Sequence, residues 1–261
     1  MNLNEEQIER YSRHIILQDV GGAGQEKILN AKVLIVGTGG LGAPAALYLA
    51  AAGVGTIGLI DGDKVDVSNL QRQVIHFTPD VGKEKVLSAK EKIAQINPDV
   101  TVNAMVDLFR ADNALDIIKD YDFVIDGTDN FPAKFLVNDA CVMGEKPFSH
   151  GGILRFDCQT MTYVPGSASY RCVFKEPPPA GAVPTCSQAG VFGAIAGMLG
   201  TIQAAEALKY IVGVGELLTN RLLIFDALSM KFRTVNVKPN PERLDIKELV
   251  DFEQAACDLK Q

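Results

Sequence analysis

A glycine-rich turn that follows a short apolar segment constrains the fold of this chain more than any other feature. The segment 32–36 (KVLIV) is apolar and β-branched, which is typical of a buried strand, and Gly37, Gly39 and Gly42 follow it as G-x-G-x-x-G. The alanine-rich segment that comes next predicts a helix packed closely on a sheet. This order of elements predicts a nucleotide phosphate at the helix N-terminus, where free N–H groups and a partial positive charge face the ligand. The alternative is a glycine turn that serves helix–sheet packing alone.

Strand and helix patterns alternate through the first half of the chain, which favours an α/β fold. Strands are predicted at 32–36, 56–60, 100–106 and 123–125, with helices at 83–96, 112–119 and 132–143. We therefore expect a Rossmann-like, doubly wound, mostly parallel sheet. Residues 153–164 alternate in the manner of antiparallel strands, and strands near 221–226 and 232–237 are expected to complete an antiparallel extension.

The C-terminal half contains a long apolar helix pattern from about 189 to 212 and an amphipathic pattern at 244–260. The long pattern includes Gln203 and Glu206, so it predicts a buried helix and not a membrane span. The second pattern predicts a helical tail. Without a clear linker or repeat, residues 1–261 are expected to form one domain.

Composition and charge exclude several classes of protein. The chain of 261 residues is 47% hydrophobic, which is incompatible with disorder, and its formal net charge is -7, which argues against nucleic acid as a partner. The N-terminus has no apolar segment of the secretory kind. The five cysteines are widely spaced and form no CxxC pair, as expected of reduced thiols. We expect a cytoplasmic protein that does not bind membranes.

Polar residues beyond the second strand suggest which nucleotide is bound. Asp61 ends that strand, 19 residues after Gly42, where an acidic residue binds ribose hydroxyls. Asn69, Gln71 and Arg72 follow it, and Lys85 begins the next helix pattern. Two cations suit a triphosphate, because leaving pyrophosphate concentrates negative charge, whereas a dinucleotide needs no such cations. The alternative for Arg72 and Lys85 is solvated surface charge.

Asp129 follows the fourth strand in the segment DGTDN. Carboxylates at the C-terminal ends of strands in a doubly wound sheet lie along the ligand crevice, and magnesium takes one or two carboxylates plus phosphate oxygens. Asp129 is therefore a candidate magnesium ligand. The alternative is that this segment supplies the N-cap of the next helix.

Together, these segments resemble a known family. GTGGLG, DGDKVDVSNLQRQ, DGTDN and CSQAG occur in an order and spacing similar to those of the ThiF/MoeB/HesA group of ubiquitin-activating-like adenylyltransferases, and the N-terminal RYSRHIIL also matches. The resemblance covers about residues 4–237. It implies that the nucleotide is lined by Gly40, Asp61, Ser68, Asn69, Gln71, Arg72, Lys85, Asp129 and Asn130. It also implies a homodimer in which Arg13 reaches the phosphates bound by the neighbouring subunit.

The activity that the resemblance implies is adenylation of a sulfur-carrier protein with ATP and magnesium. The substrate would be a small ubiquitin-like protein of the ThiS or MoaD kind that ends in Gly-Gly, and the product would serve thiamin, molybdopterin or related biosynthesis. The chain stops without a rhodanese-like domain, so we expect sulfur to come from a separate donor protein.

The chain departs from the family at the structural zinc site, for which members commonly supply two CxxC pairs. The first pair would fall at 169–172 (SYRC), with one cysteine, and the second near 240–244 (NPERL), with none. Four thiolates cannot be assembled, so we predict no zinc. The tail 244–260 is a candidate for holding the two regions together instead.

Cys186 precedes the long helix pattern, and thiols near helix N-termini can ionise readily. By resemblance to CxxAG segments of the family, Cys186 is a candidate for a covalent adduct with the carrier. The alternative is an inert buried thiol.

Rival functions are an NAD-linked oxidoreductase, based on the glycine motif alone, and a non-catalytic dimeric scaffold. A scaffold would be expected to lose its nucleotide-binding residues, which this chain keeps. Family members that activate a small molecule, a tRNA-modification substrate or a peptide remain a further alternative.

Overall fold

One mixed sheet organises the part of the chain that the computed structural model describes, residues 3–179 and 189–251. Its eight strands there lie in the order β3-β2-β1-β4-β5-β6-β7-β8. The strands are Lys32–Val36 (β1), Thr56–Ile60 (β2), Thr101–Met105 (β3), Phe123–Asp126 (β4), Phe148–Leu154 (β5), Asp157–Tyr163 (β6), Arg221–Asp226 (β7) and Lys231–Asn236 (β8). The α-helices of the described residues are Glu5–Arg10 (α1), Ser12–Ile15 (α2), Gly21–Asn30 (α3), Gly42–Ala52 (α4), Lys85–Ile96 (α5), Ala114–Ile118 (α6), Phe131–Met143 (α7), Tyr170–Val173 (α8), Gly193–Val212 (α9) and Pro241–Leu244 (α10).

The pairing confirms the predicted fold class. Strands β1 to β5 pair in parallel, and β5 to β8 pair antiparallel. The chain runs outward from β1 through β2 to β3 and then returns to the other side of β1 as β4. In such sheets the crevice for a ligand lies at the C-terminal ends of the strands, at the point where the order reverses. Here that point lies between β1 and β4.

Helices cover both faces of the parallel part of the sheet, which explains its continuously apolar strands. Val33 and Ile35 of β1 belong to a core cluster with residues of α4 and α5. Leu34 and Val36 point to the opposite face and belong to a cluster with residues of α6 and α7. Because all four side chains are buried, β1 could be recognised from its sequence.

Helix α9 begins at Gly193, somewhat later than expected, and buries Gln203 and Glu206 in the protein. Gln203 donates from Nε2 to the carbonyl oxygens of Asp126 (2.9 Å) and Ser149 (3.0 Å). Glu206 is 2% exposed and accepts a hydrogen bond from the Thr162 hydroxyl at 2.6 Å. Within residues 3–179 and 189–251, no helix combines the length and apolar character needed to cross a membrane.

The predicted helical tail is wrong for residues 245–251. Helix α10 ends at Leu244, and the chain continues without helix to residue 251. Leu244, Ile246 and Leu249 pack against the core cluster that contains Tyr170. Side chains at this spacing do not lie on one face of a helix, so a non-helical backbone is needed to pack all three against the same cluster. Residues 252–260 lie outside the described part, and the single domain over 1–261 stays a prediction.

Candidate functional site

A cleft of about 390 Å³ lies at the C-terminal ends of the parallel strands, where the topology reverses. The segments that line it follow β1, β2, β3 and β4, and further residues come from the loop before α5 and from the start of α9. Eight predicted site residues line this cleft: Gly37, Gly39, Gly40, Asp61, Arg72, Lys85, Asp129 and Asn130.

The glycine loop after β1 is built by close backbone packing. Gly37 has φ +87°, a conformation that L side chains rarely adopt, and its N–H donates to the Ile60 carbonyl at 2.9 Å. A Cβ on Gly42 would lie 1.9 Å from the carbonyl oxygen of Gly37. Gly42 therefore lies behind the loop and does not line the cleft. Its role is to let α4 start directly beneath the turn, with the helix N-terminus facing the cleft.

Asp61, directly after β2, is hydrogen-bonded to the glycine loop. Its Oδ2 accepts hydrogen bonds from the Thr38 N–H (2.8 Å) and from the Thr38 hydroxyl (2.9 Å). Its Oδ1 accepts from the Asp63 N–H at 2.9 Å. The carboxylate is half-buried and lines the cleft, so one face is available for a ligand hydroxyl.

Two cations also line the cleft. Lys85 is only 6% exposed, and its Nζ lies 2.7 Å from Oδ2 of Asp63. Arg72 is half-buried, donates to the Ser68 carbonyl at 3.0 Å and lays its methylene groups along Gly40. A solvated surface charge is therefore the wrong interpretation for Lys85. Both cations are held at the cleft by contacts that leave N–H groups for an anion.

The segment after β4 was considered both for a magnesium ligand and for the N-cap of the next helix, and Asp129 and Asn130 each suit one of these roles. Asn130 is the N-cap of α7, and its Oδ1 accepts from the Ala133 N–H at 2.9 Å. The Asp129 side chain is exposed in the cleft and has no hydrogen-bond partner among the described residues. A free carboxylate beside a phosphate site fits the ligand preference of magnesium, so Asp129 would hold such an ion.

Beneath this segment lies a buried charge cluster that the sequence argument missed. Asp126 is fully buried, and its Oδ2 lies 2.9 Å from Nδ1 of His150 and 3.1 Å from Nζ of Lys134. Burial alone would raise the pKa of Asp126, but the Lys134 charge and the His150 hydrogen bond lower this pKa to about 2. Burial lowers the pKa of His150, so its ring is neutral at pH 7.

This cluster shapes the turn that presents Asp129. Oδ1 of Asp126 accepts from the Thr128 N–H (3.1 Å) and hydroxyl (2.6 Å), and Lys134 donates to the Thr128 carbonyl at 2.7 Å. The signal in the sequence was the occurrence of an acid and a histidine in otherwise buried strands, in FVID and FSHGG.

The remaining predicted residues lie elsewhere. Ser68, Asn69 and Gln71 belong to the loop after β2 but do not line the cleft, and Oδ1 of Asn69 instead accepts from the Asp66 N–H at 3.2 Å. Arg13 is exposed on α2, away from the cleft lining. Cys186 lies outside the described residues.

Two of the three cysteines in the described part, Cys141 and Cys158, are unsuited to nucleophilic chemistry. Cys141 and Cys158 are buried, and burial raises the pKa of Cys141 well above its usual value and that of Cys158 to about 12. Cys172 lies 4.0 Å from the Ser169 hydroxyl, at the position of the first expected zinc pair. Residues 3–179 and 189–251 contain no cluster of three or more histidine, cysteine or acidic side chains able to hold a metal ion.

An arginine connects the two regions that the resemblance would join through zinc. Arg243 donates from one guanidinium nitrogen to the carbonyl oxygens of Arg171 and Cys172, each at 3.1 Å. Arg171 in turn forms a two-point ion pair with the buried carboxylate of Asp139, at 2.6 and 2.7 Å. We call the Arg243 contacts the Arg243 clip.

Comparison with known proteins identifies the family. The family model described as "ThiF family" matches residues 11–245. The chain belongs to the ThiF family. It is 44% identical to a sulfur carrier protein adenylyltransferase of Thermus thermophilus, in an alignment that spans the whole of both chains. It is also 48% identical to the probable adenylyltransferase/sulfurtransferase MoeZ of Mycobacterium tuberculosis, over 97% of this chain and 66% of that relative's length.

Solved structures agree with the fold of this ThiF-family chain. The crystal structure of Escherichia coli MccB with AMPCPP and MccA superimposes with a TM-score of 0.79 at 26% identity, over 92% of this chain and 74% of that one. PaaA superimposes with a TM-score of 0.77, also at 26% identity, over 91% of this chain and 76% of the other.

Proposed function

We propose that this chain adenylates the C-terminal glycine carboxylate of a ubiquitin-like sulfur-carrier protein, with ATP as the adenylyl donor. The observation that carries the proposal is the cleft, in which Arg72, Lys85 and the free carboxylate of Asp129 surround a glycine loop at a helix N-terminus. Relatives named as sulfur-carrier adenylyltransferases supply the substrate class. The presence of Arg72 and Lys85 in the cleft, together with the named activity of these relatives, argues against an NAD-linked oxidoreductase and against a non-catalytic scaffold.

The reaction needs positioning and charge neutralisation more than proton transfer. A terminal carboxyl group has a pKa of about 3.5, so it is ionised at neutral pH and requires no general base. One carboxylate oxygen attacks the α-phosphorus of ATP, the bond from that phosphorus to the bridging oxygen breaks, and pyrophosphate leaves with the electron pair. Arg72 and Lys85 offset the repulsion between the two anions and stabilise the leaving group. Magnesium held by Asp129 would supply further neutralisation.

The proposed partners are a carrier protein, a sulfur donor and a second copy of this chain. The carrier would be of the ThiS or MoaD type with a Gly-Gly terminus, and a separate protein would donate sulfur for thiamin, molybdopterin or related products. In a homodimer, Arg13 of one subunit would reach the phosphates in the other, which suits its exposed position outside the cleft of its own chain. Cys186 would act after adenylation. We propose a cytoplasmic location.

Carrier-dependent exchange between ATP and pyrophosphate tests the proposal. The purified chain is assayed with a panel of carriers that end in Gly-Gly, and each active carrier is compared with its form lacking the last two residues. We expect exchange with at least one intact carrier and a loss of more than about 100-fold in Asp129→Ala, because the metal and its charge would be lost. Asp116→Asn, a change at an exposed carboxylate on α6, serves as control. Binding of ATP without exchange with any carrier would place the substrate outside this class.

A further inference from the structure

Gln73 is a cleft residue that neither the glycine motif nor the family resemblance identified. It is 3% exposed and lines the cleft beside the glycine loop. Its Oε1 is buried and has no hydrogen-bond partner in residues 3–179 and 189–251. Buried amides in folded proteins are nearly always paired, so an unpaired one at a cleft indicates a group that a ligand completes.

The backbone around Gln73 holds this amide in place. The Gln73 N–H donates to the Asn69 carbonyl at 2.9 Å, and the Gln73 carbonyl accepts from the His76 N–H at 3.0 Å. Nε2 of His76 donates to the Thr38 carbonyl of the glycine loop at 3.2 Å, so Nδ1 accepts from the Ser88 hydroxyl at 2.9 Å. Burial lowers the pKa of His76, which favours this neutral form. The segment that carries Gln73 is thereby attached both to the glycine loop and to α5.

The missing side chain at Gly39 leaves the amide open to the cleft. A Cβ on Gly39 would lie 3.6 Å from Nε2 of Gln73, in direct contact with it. With glycine at this position, the Nε2 donors face the space beside the loop, next to the Arg72 side chain that lines the same cleft. An uncharged donor that is fixed beforehand stabilises an anionic oxygen without reorganisation when the ligand binds.

We propose that Gln73 binds the nucleotide, its amide N–H donating to a phosphate oxygen. This inference rests on the proposed use of ATP and adds a contact to it. It does not depend on which carrier is adenylated.

Calorimetric titration of the purified chain with ATP and with adenosine tests the assignment. In Gln73→Met, which keeps the length and volume of the side chain, we expect ATP to bind about tenfold or more weakly, since hydrogen bonds to charged groups are the strong ones. Adenosine should bind as it does to the wild type. Gln73→Glu should weaken ATP binding further, because a carboxylate in the same place repels phosphate. Gln159→Met, on β6 and outside the cleft lining, is the matched control.

Thermal unfolding of the ligand-free proteins separates binding from support of the fold. Removing an unpaired buried amide should leave the melting temperature of Gln73→Met equal to that of the wild type or above it. Unchanged ATP affinity in both Gln73 variants would overturn the inference, and so would an equal loss for ATP and adenosine. If the wild type binds ATP and Gln73 behaves as expected but no carrier supports exchange, the carrier proposal alone fails. Failure of the wild type to bind ATP would overturn both.

Discussion

Asp126→Asn should destabilise the protein because it leaves the buried ammonium group of Lys134 without its carboxylate partner. The substitution keeps the shape of the side chain and the oxygen that accepts from Thr128. It removes the only carboxylate paired with Lys134 among the described residues, and Lys134 is just 7% exposed. The Lys134 ammonium would keep only uncharged partners, namely the carbonyl oxygens of Thr128 and Gly151 and, at 3.4 Å, the retained side-chain oxygen of residue 126. His150 would also have to change its tautomer, because an amide N–H₂ would face its Nδ1.

The structure sets the expected size of the effect. The pKa of Asp126 falls from 3.8 to about 2 on folding, which corresponds to about 2–3 kcal/mol of stability at pH 7. Breaking a buried ion pair from one side costs about 3–5 kcal/mol. We therefore expect Asp126→Asn to lower the free energy of unfolding by about 3 kcal/mol at pH 7.

The pH dependence gives this prediction its sharpest test. A carboxyl group whose pKa is lowered on folding contributes stability above its unfolded value of 3.8, and the contribution is lost as pH falls through about 2. Urea unfolding measures the difference in the free energy of unfolding between wild type and variant. The part of this difference that comes from the lowered pKa of Asp126 should shrink to roughly half between pH 7 and pH 3. Asp116→Asn, on the surface, should leave the urea midpoint close to that of the wild type at both pH values, because exposed ion pairs contribute little. A loss below about 1 kcal/mol in Asp126→Asn, or a gap that ignores pH, would refute the reasoning.

Other substitutions test the loop, the histidine and the Arg243 clip. Gly42→Ala should abolish ATP binding and lower the melting temperature, because the added Cβ would lie 1.9 Å from the Gly37 carbonyl oxygen. Gly197→Ala, in open space on α9, should instead raise the free energy of unfolding by up to about 1 kcal/mol. The wild type should lose stability as pH falls below 6.5, because folding lowers the pKa of both His150 and His76. In urea unfolding at pH 7 and 5, His150→Gln should show a smaller loss than the wild type, because His150 no longer contributes. Arg243→Met should cost about 1–2 kcal/mol and speed hydrogen exchange at residues 170–174. Chelation of zinc should leave the melting temperature of the wild type unchanged, and a fall on chelation would show that a metal contributes.

Local pattern was sufficient to predict the central strands and the residues at their ends. The bounds predicted for β1 and β2 agree with the structure because both strands are apolar along their length and end in a glycine or an aspartate. Because parallel strands place their C-terminal ends at one edge of the sheet, Gly37, Asp61 and Asp129 could be grouped from their positions in the sequence alone.

Contacts between distant segments could not be predicted in this way. Helix α3 was missed because its sequence, GGAGQEKILN, contains three glycines, and its Gly24 packs against Val212, far away in the chain. The Asp126–His150 pair requires the register of β4 against β5, which aligns Ile125 with Ser149. Gln73 was passed over for its neighbours in NLQRQ, since only the fold shows which side chains of that segment face the cleft.

The hydrogen bonds of the Arg243 clip join the 170s segment to the C-terminal region without using a thiolate. Its bonds join a guanidinium to backbone carbonyls, so it has no thiolate to oxidise. Guanidinium groups also stay protonated throughout the physiological pH range, so acid does not release the clip as it would release a metal from its ligands. Under metal limitation, these hydrogen bonds should persist, whereas a joint held by a metal ion would be lost.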